Sequence, residues 1–295
     1  MPLPFTKRSA EPLSIHQMSR HLIESMRYEV VPLKNLPEQL EFLPEGCSVS
    51  VTCSPVKGIE ATMQITEDLL SRGYEAVPHI AARLVADKAQ TAEIAAWLKS
   101  HALPEMFLVG GDAPEPAGDY ADAESFLVDL LGETHGLSRI GVTAYPDGHA
   151  LIDASLLDAA LLGKQRLLAE AGIEGHASTQ MCFDNDQIIR WLEHQRSVGF
   201  ELPIHLGLPG VVDRLKLMNM GARLGIGASM RFLKKNGSAI GHLLTSSGYD
   251  PTEIIDPIAP RAAELGISGL HVFTFNNVEA TATWQRGIMQ MAVAS

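Results

Sequence analysis

Eight short apolar runs, each rich in β-branched residues, alternate along this chain with longer stretches of helical character. The runs occupy 26–32, 48–53, 75–80, 106–110, 139–144, 176–182, 202–207 and 269–275. Consecutive strands separated by helices cannot pair as hairpins, so the repeat predicts a parallel sheet. Eight repeats fit an α/β closed (β/α)8 TIM barrel. A doubly wound open sheet is the competing architecture, but it would gather its polar residues at one switch point. Here polar residues recur at the C-terminal ends of many runs, which favours the barrel.

The intervening segments carry helical stripes. Ile59, Met63 and Leu70 recur within 58–72, and Ile188, Trp191 and Leu192 within 187–195. Ile254, Ile258, Ala262 and Leu265 do so within 252–265, where Asp250, Pro251 and Glu253 make a helix start. Gly172 after Ala171 is a helix stop. Residues 13–25 predict a short amphipathic helix (Ile15, Met18, Leu22) at the bottom of the barrel. A Gly- and Met-rich insertion spans 211–250. No low-complexity linker divides the chain, so 1–295 is read as one barrel domain, with 1–25 as an N-terminal arm and helix.

Composition narrows the function. The 23 Lys and Arg against 35 Asp and Glu leave a formal charge of −12, the wrong sign for a nucleic-acid binder. No run approaches the ~18 apolar residues of a membrane span. Cys47, Cys53 and Cys182 form neither a disulfide framework nor a Cys-x-x-Cys pair. Lys7 and Arg8 have no apolar segment behind them. The expectation is a cytoplasmic, soluble protein, with a homo-oligomer left open.

In a barrel the C-terminal strand ends face the site. Those ends carry Glu29, Thr52, His79, Asp112, Tyr145 and Gln180. A carboxyl group buried there can be held protonated and serve as a general acid. Gly110 and Gly111 let the backbone approach a ligand before Asp112. His176, His205 and His271 lie deeper in their runs and read as packed or hydrogen-bonded barrel histidines. No His-x-His pair or phosphate-binding glycine motif is present, so no metal is assigned.

The ordered segments Tyr28-Glu29-Val30-Val31-Pro32, Val49-Ser50-Val51-Thr52, Glu75-Ala76-Val77-Pro78-His79 and Gly111-Asp112-Ala113-Pro114 are distinctive as a set. So are Ile140 to Pro146, Ser178 to Asp184 and His271 to Asn276. Together they resemble the methylenetetrahydrofolate reductase family over nearly the whole chain. The resemblance implies a barrel holding FAD, with NADH or NADPH as reductant and a folate as substrate. It implies that Glu29 is the general acid and that Asp112 lies by the flavin and the pterin. It further implies that Gln180 and Phe273 contact the folate. Thr52, His79, Gly111, Tyr120, Tyr145 and His149 match flavin-contacting positions, and Lys164 stands where the family carries an Asn.

The departures cluster on the phosphate side. The family's Arg-Gly-Asp is Gly110-Gly111-Asp112, and its Arg-Lys pair falls on Leu167 and Leu168. Its Leu-Asn-Arg is Phe275-Asn276-Asn277, and its Phe-Phe-Pro-Pro is Val30-Val31-Pro32-Leu33. Arg83, Lys88, Lys164 and Arg166 are the candidate replacements for the lost cations. Two alternatives follow: a flavin-free reductase passing hydride directly from NAD(P)H to the folate, and a folate-binding barrel without turnover.

Overall fold

A computed structural model describes residues 15–213, 216–217, 244–245 and 248–291. The barrel strands are β1 (Arg27–Val30), β2 (Ser48–Val51), β3 (Glu75–Ala81), β4 (Glu105–Val109), β5 (Arg139–Ala144), β6 (Glu174–Thr179) and β7 (Ile204–Pro209). A two-stranded ribbon, β8 (Leu244–Thr245) and β9 (Gly248–Tyr249), precedes the last barrel strand, β10 (Ile267–Phe273). All eight barrel pairings are parallel and the sheet closes, β10 pairing with both β7 and β1. The chain is therefore a (β/α)8 barrel.

Each strand sends alternate side chains to opposite faces. On β1, Tyr28 and Val30 face the helix layer and are fully buried there. Tyr28 donates its hydroxyl to Gln285, 2.6 Å away, and Gln285 in turn donates to the carbonyl of Ile23. This ties β1 to the helices α1 (Ile15–Glu24) and Val278–Met291. The same alternation turns Arg27 and Glu29 inward. α1 matches the amphipathic helix expected over 13–25 and packs on β10 and its flanking helices.

The helix layer carries α2 (Leu36–Leu40), α3 (Gly58–Ser71), α4 (Lys88–Ser100), α5 (Ala123–Leu131), α6 (Ala154–Ala171) and α7 (Asn185–Ser197). Gly172 closes α6 in the left-handed conformation, as its sequence position suggests. The helix expected over 252–265 is broken. It runs Thr252–Ile258, passes through a 3-10 turn at Ala259–Arg261 and resumes at Ala262–Leu265. Pro257 and Pro260 remove backbone donors, which a continuous helix cannot absorb. Asp250 accepts from the amide and hydroxyl of Thr252, and also from Trp284. Most of the insertion expected over 211–250 lies outside the described residues.

Three strands are offset from expectation. β6 starts at Glu174 and ends at Thr179, so Gln180, Met181 and Cys182 belong to the loop above it. β7 and β10 are likewise shifted by two residues, with Gly266 (φ 72°) ending the preceding helix just before β10.

The barrel floor is charged. Arg27 contacts Glu105 at 2.5 Å, and Arg139 reaches the other oxygen of Glu105 at 3.2 Å. Above them His176 stacks on His205 with centroids 4.1 Å apart. Gly141 makes this possible, because a Cβ there would come within 2.6 Å of the His176 ring. The interior column thus runs from an ion cluster at the bottom, through imidazoles and Phe107, to Glu29 near the mouth.

Candidate active site

Glu29 is the centre of the mouth. Its Oε2 lies 2.8 Å from Nε2 of His271 and 4.0 Å from Nε2 of His79. Burial pushes the carboxyl group up to about 7, against a weaker pull from His79. Burial also pushes both imidazoles down to about 3. Arg27 below His271 further disfavours a second positive charge. The contact is therefore a hydrogen bond between a carboxyl group poised near neutrality and a neutral imidazole. Ser50 adds its hydroxyl 3.4 Å from the same His271 nitrogen.

Glu29, His79 and His271 also bring one ligand atom each within 4.8 Å of one another, which would suffice to touch a metal ion. Tetrahedral zinc ligands at ~2.0–2.1 Å from the ion stand more than 3 Å apart. The 2.8 Å spacing of Glu29 and His271 is that of a hydrogen bond.

Backbone architecture fixes Glu29. The carbonyl of Glu29 accepts from the hydroxyl of Thr274 at 2.6 Å. The side chain of Asn276 mimics a strand partner for Val31, accepting from its amide at 2.9 Å and donating to its carbonyl at 2.8 Å. Phe275 and Asn276 both hold positive φ, 50° and 54°. Asn tolerates that region better than most residues, and here its side chain is fully used. Sequence inspection placed Asn276 only in a loop of lost cations. His271 met its expected hydrogen-bonded role, but its partner could not be read from spacing.

Around Glu29 the structure brings several expected residues together. His79 packs against Phe107, with centroids 4.7 Å apart, and its Nε2 is buried without a hydrogen-bond partner among the described residues. The hydroxyl of Thr52 is also buried without a partner. Phe273, half-buried, lies 5.3 Å from the ring of His271. Gly111 holds φ 99° with Ala81 immediately beside it, so only glycine serves there, and Asp112 follows exposed at the rim. Asp112 raises the Tyr145 phenol after burial, placing these two in one electrostatic field. Gln180 turns its carboxamide oxygen back to accept from the amide of Met181 at 2.9 Å, which leaves its NH2 group to donate.

Other expected residues stand elsewhere. Tyr120 is buried, and its hydroxyl is shared between Thr91 at 2.8 Å and Asp129 at 2.9 Å in the α4–α5 layer. It has no free hydroxyl to offer a ligand. His149 accepts from the amide of Leu151 and stands edge-on to Tyr145, 5.2 Å away.

The candidate cations differ sharply. Arg83 gives three N–H groups to the carbonyls of Ala113, Pro114 and Ala121, holding the β4–α5 loop. Lys88 is paired with Asp129 at 3.0 Å. Arg166 is exposed beside Glu170. Leu168 is buried in the core and Leu167 packs against it. Lys164 alone lines a cleft, which also carries Asp122, Asp147 and Asp158.

The family model described as methylenetetrahydrofolate reductase matches residues 31–286. The chain belongs to the methylenetetrahydrofolate reductase family. It is thus a member of a family of folate-related reductases, and several of the expected site residues gather at the barrel mouth around Glu29. Among solved structures, an apo-form Toxoplasma gondii ME49 protein assigned to the deoxyribose-phosphate aldolases matches at 14% identity. The match covers 94% of this chain and 98% of that one, with a TM-score of 0.45. Among the described residues no helix is long and apolar enough to cross a membrane.

Among the described residues the cleft is poor in cations for the diphosphate of an FAD. Two phosphates call for matching cations or an open helix N-terminus. The cleft offers one ammonium and the N-terminus of α6, where Asp153 makes no side-chain cap, beside three carboxylates, while Arg83 and Lys88 are committed to carbonyls and a carboxylate.

Proposed function

We propose that this chain reduces 5,10-methylenetetrahydrofolate to 5-methyltetrahydrofolate, taking hydride directly from a reduced nicotinamide dinucleotide. The observation that carries this reading is Glu29, a buried carboxyl group raised to about 7 and in contact with neutral His271. A group with that pKa is protonated often enough at neutral pH to give its proton away.

The proton goes from Glu29 to N10 of the folate, and the C11–N10 bond of the imidazolidine ring breaks. The electron pair of that bond remains on N10. The C11 methylene, now an iminium carbon on N5, accepts hydride from C4 of the dihydronicotinamide and becomes a methyl group. The nicotinamide leaves oxidised, and Glu29 takes a proton back from water. One hydride and one proton are consumed per turnover. Gln180 donates its free NH2 to the pterin, Asp112 accepts from the pterin's amino edge, and Phe273 forms an apolar wall. Thr52 and His79 present unpartnered polar atoms to the stacked rings.

Direct transfer is favoured by the scarcity of uncommitted cations among the described residues. A resident flavin requires nanomolar retention, roughly 12 kcal/mol, whereas a reductant that binds and leaves works at micromolar to millimolar affinity, roughly 4–8 kcal/mol. One lysine suits the second case. A catalytically silent folate-binding barrel has no use for a protonated carboxyl group at its centre.

The test is an assay of purified protein with NADH and methylenetetrahydrofolate, alongside its absorbance spectrum. The expected result is NADH oxidation with formation of 5-methyltetrahydrofolate by a colourless protein. A yellow protein whose turnover depends on added FAD would assign the hydride to a flavin instead, and absence of turnover in both preparations would favour the silent barrel.

A further inference from the structure

We infer that His271 is a positioning residue for the proton transfer: its Nε2–H donates to Oε2 of Glu29, which leaves the transferable proton on Oε1. This inference rests on the reading of Glu29 as the acid and assigns how that acid is held.

The sheet register places the imidazole under one carboxyl oxygen. Glu29 is level with Phe273 on β10 and with Ser50 on β2, while His271 is level with Arg27, one inward-facing position lower. From there Nε2 of His271 reaches Oε2 of Glu29 at 2.8 Å. Nε2 of His79, on β3, stops at 4.0 Å, beyond hydrogen-bond reach. Oε1 makes no hydrogen bond among the described residues, and it is not one of the buried atoms left without a partner. It is therefore the oxygen open to a ligand.

Two arguments fix the direction of the bond. A neutral imidazole carries one N–H, on either ring nitrogen. Nδ1 of His271 is buried without a hydrogen-bond partner among the described residues. A hydrogen on Nδ1 would be an orphaned buried donor, whereas on Nε2 it meets Oε2. The second argument is chemical. Were the carboxyl proton given to Nε2, the open Oε1 would offer the folate nitrogen a lone pair rather than a proton. Ser50, 3.4 Å from Nε2, is far enough to take only the weaker branch of the same N–H.

An N–H donor holds a carboxylate more strongly than a carboxylic acid. His271 thus favours the state of Glu29 that exists just after the proton has left, and offsets part of the effect of burial. The other charged or titratable groups facing the pair are Arg27 on β1, His79 on β3 and Glu105 on β4, with His176 and His205 lower on β6 and β7. Arg27 is paired with Glu105. Among the described residues, none of these five hydrogen-bonds to the Glu29 carboxyl group.

The experiment uses the full-length protein and its H271L and H271Q variants. Nitrogen-15 NMR of labelled histidine reads the tautomer, with the His271 signal identified by its loss in H271Q. Infrared titration of the protonated carboxyl band, identified by its loss in E29Q, reads Glu29 itself. The expected tautomer carries hydrogen on Nε2. H271L removes a hydrogen bond to a charged group, so the Glu29 titration and the descending limb of kcat/KM should both move up by about one to two pH units. H271Q, whose carboxamide nitrogen can donate to the same oxygen, should restore a large part of that shift. A merely structural role would lower kcat at every pH without moving the limb. Hydrogen on Nδ1, or a Glu29 titration in H271L that stays in place or moves down, would overturn the inference. If H271L does not fold, the tautomer of the parent protein decides. If the tautomer and the titration behave as expected while the protein fails to reduce the folate, the hydrogen-bond assignment stands and the reductase reading falls.

Discussion

Oε2 of Glu29 and Nε2 of His271 are 2.8 Å apart at the top of a barrel whose floor is an ion cluster, and neither side chain is charged in the way its type suggests. Burial makes the carboxyl group a weak acid and the imidazole a very weak base. The pair is thereby set up for a proton to leave along the carboxyl oxygen rather than to settle on the ring.

If Glu29 is the acid, E29Q should lower kcat by about a hundredfold to ten-thousandfold, the usual worth of a positioned proton donor. Glutamine keeps the shape and the contact to His271, so folate affinity should be nearly unchanged. Steady-state rates and a folate titration of the same preparation separate the two effects.

The pH profile should show this acid. The protonated form is required, so kcat/KM for the folate should be level below about 7, where Glu29 titrates, and fall with increasing pH above it. The limb should be lost in E29Q. A profile rising through neutrality would mean that the carboxylate form is the active one.

Stability should have its own pH signature. His79 and His271 are held at about 3, and His176 and His205 are held well below the ordinary value, by burial in every case. Between pH 6 and 5 the unfolded chain protonates all four and the folded chain does not, so stability falls as pH falls. Glu29 opposes this, because its raised pKa makes the folded state hold a proton that the unfolded state releases. The net uptake on unfolding is about three protons, or about 4 kcal/mol per pH unit. Urea midpoints measured at half-unit steps check the slope. H205F removes one of the four and should flatten it.

The floor should be sensitive to half-removal. E105L leaves Arg27 buried without its partner and should cost about 3–5 kcal/mol. The double variant R27M/E105L should recover a large part of that loss. Equal losses in the single and double variants, measured by urea unfolding, would show that the pair does not act as a unit.

The barrel itself was legible because its signal is collective: eight β-branched runs with intervening helical stripes leave few other closures. The break at Pro257 was masked by the apolar stripe of Ile254, Ile258, Ala262 and Leu265, although proline removes a backbone donor. Glu29, Thr52 and His79 were found by their places at strand ends. Tyr120 entered only through the family resemblance, and helix packing draws its hydroxyl to Thr91 and Asp129. Arg83 and Lys88 looked free in sequence because their partners are 30 or more residues away. Asn276 was hidden for a similar reason: its two bonds to Val31 span 245 residues, and only barrel closure brings them together.

The most direct measurement follows hydride itself. The protein is given NADH deuterated at the transferred C4 position, with methylenetetrahydrofolate in ordinary water, and the product methyl group is read by mass spectrometry. Direct transfer predicts one deuterium per methyl group, because the hydride never meets an exchangeable site. A methyl group without deuterium, formed at an undiminished rate, would contradict the account, since the hydride would then have passed through a carrier that exchanges with water.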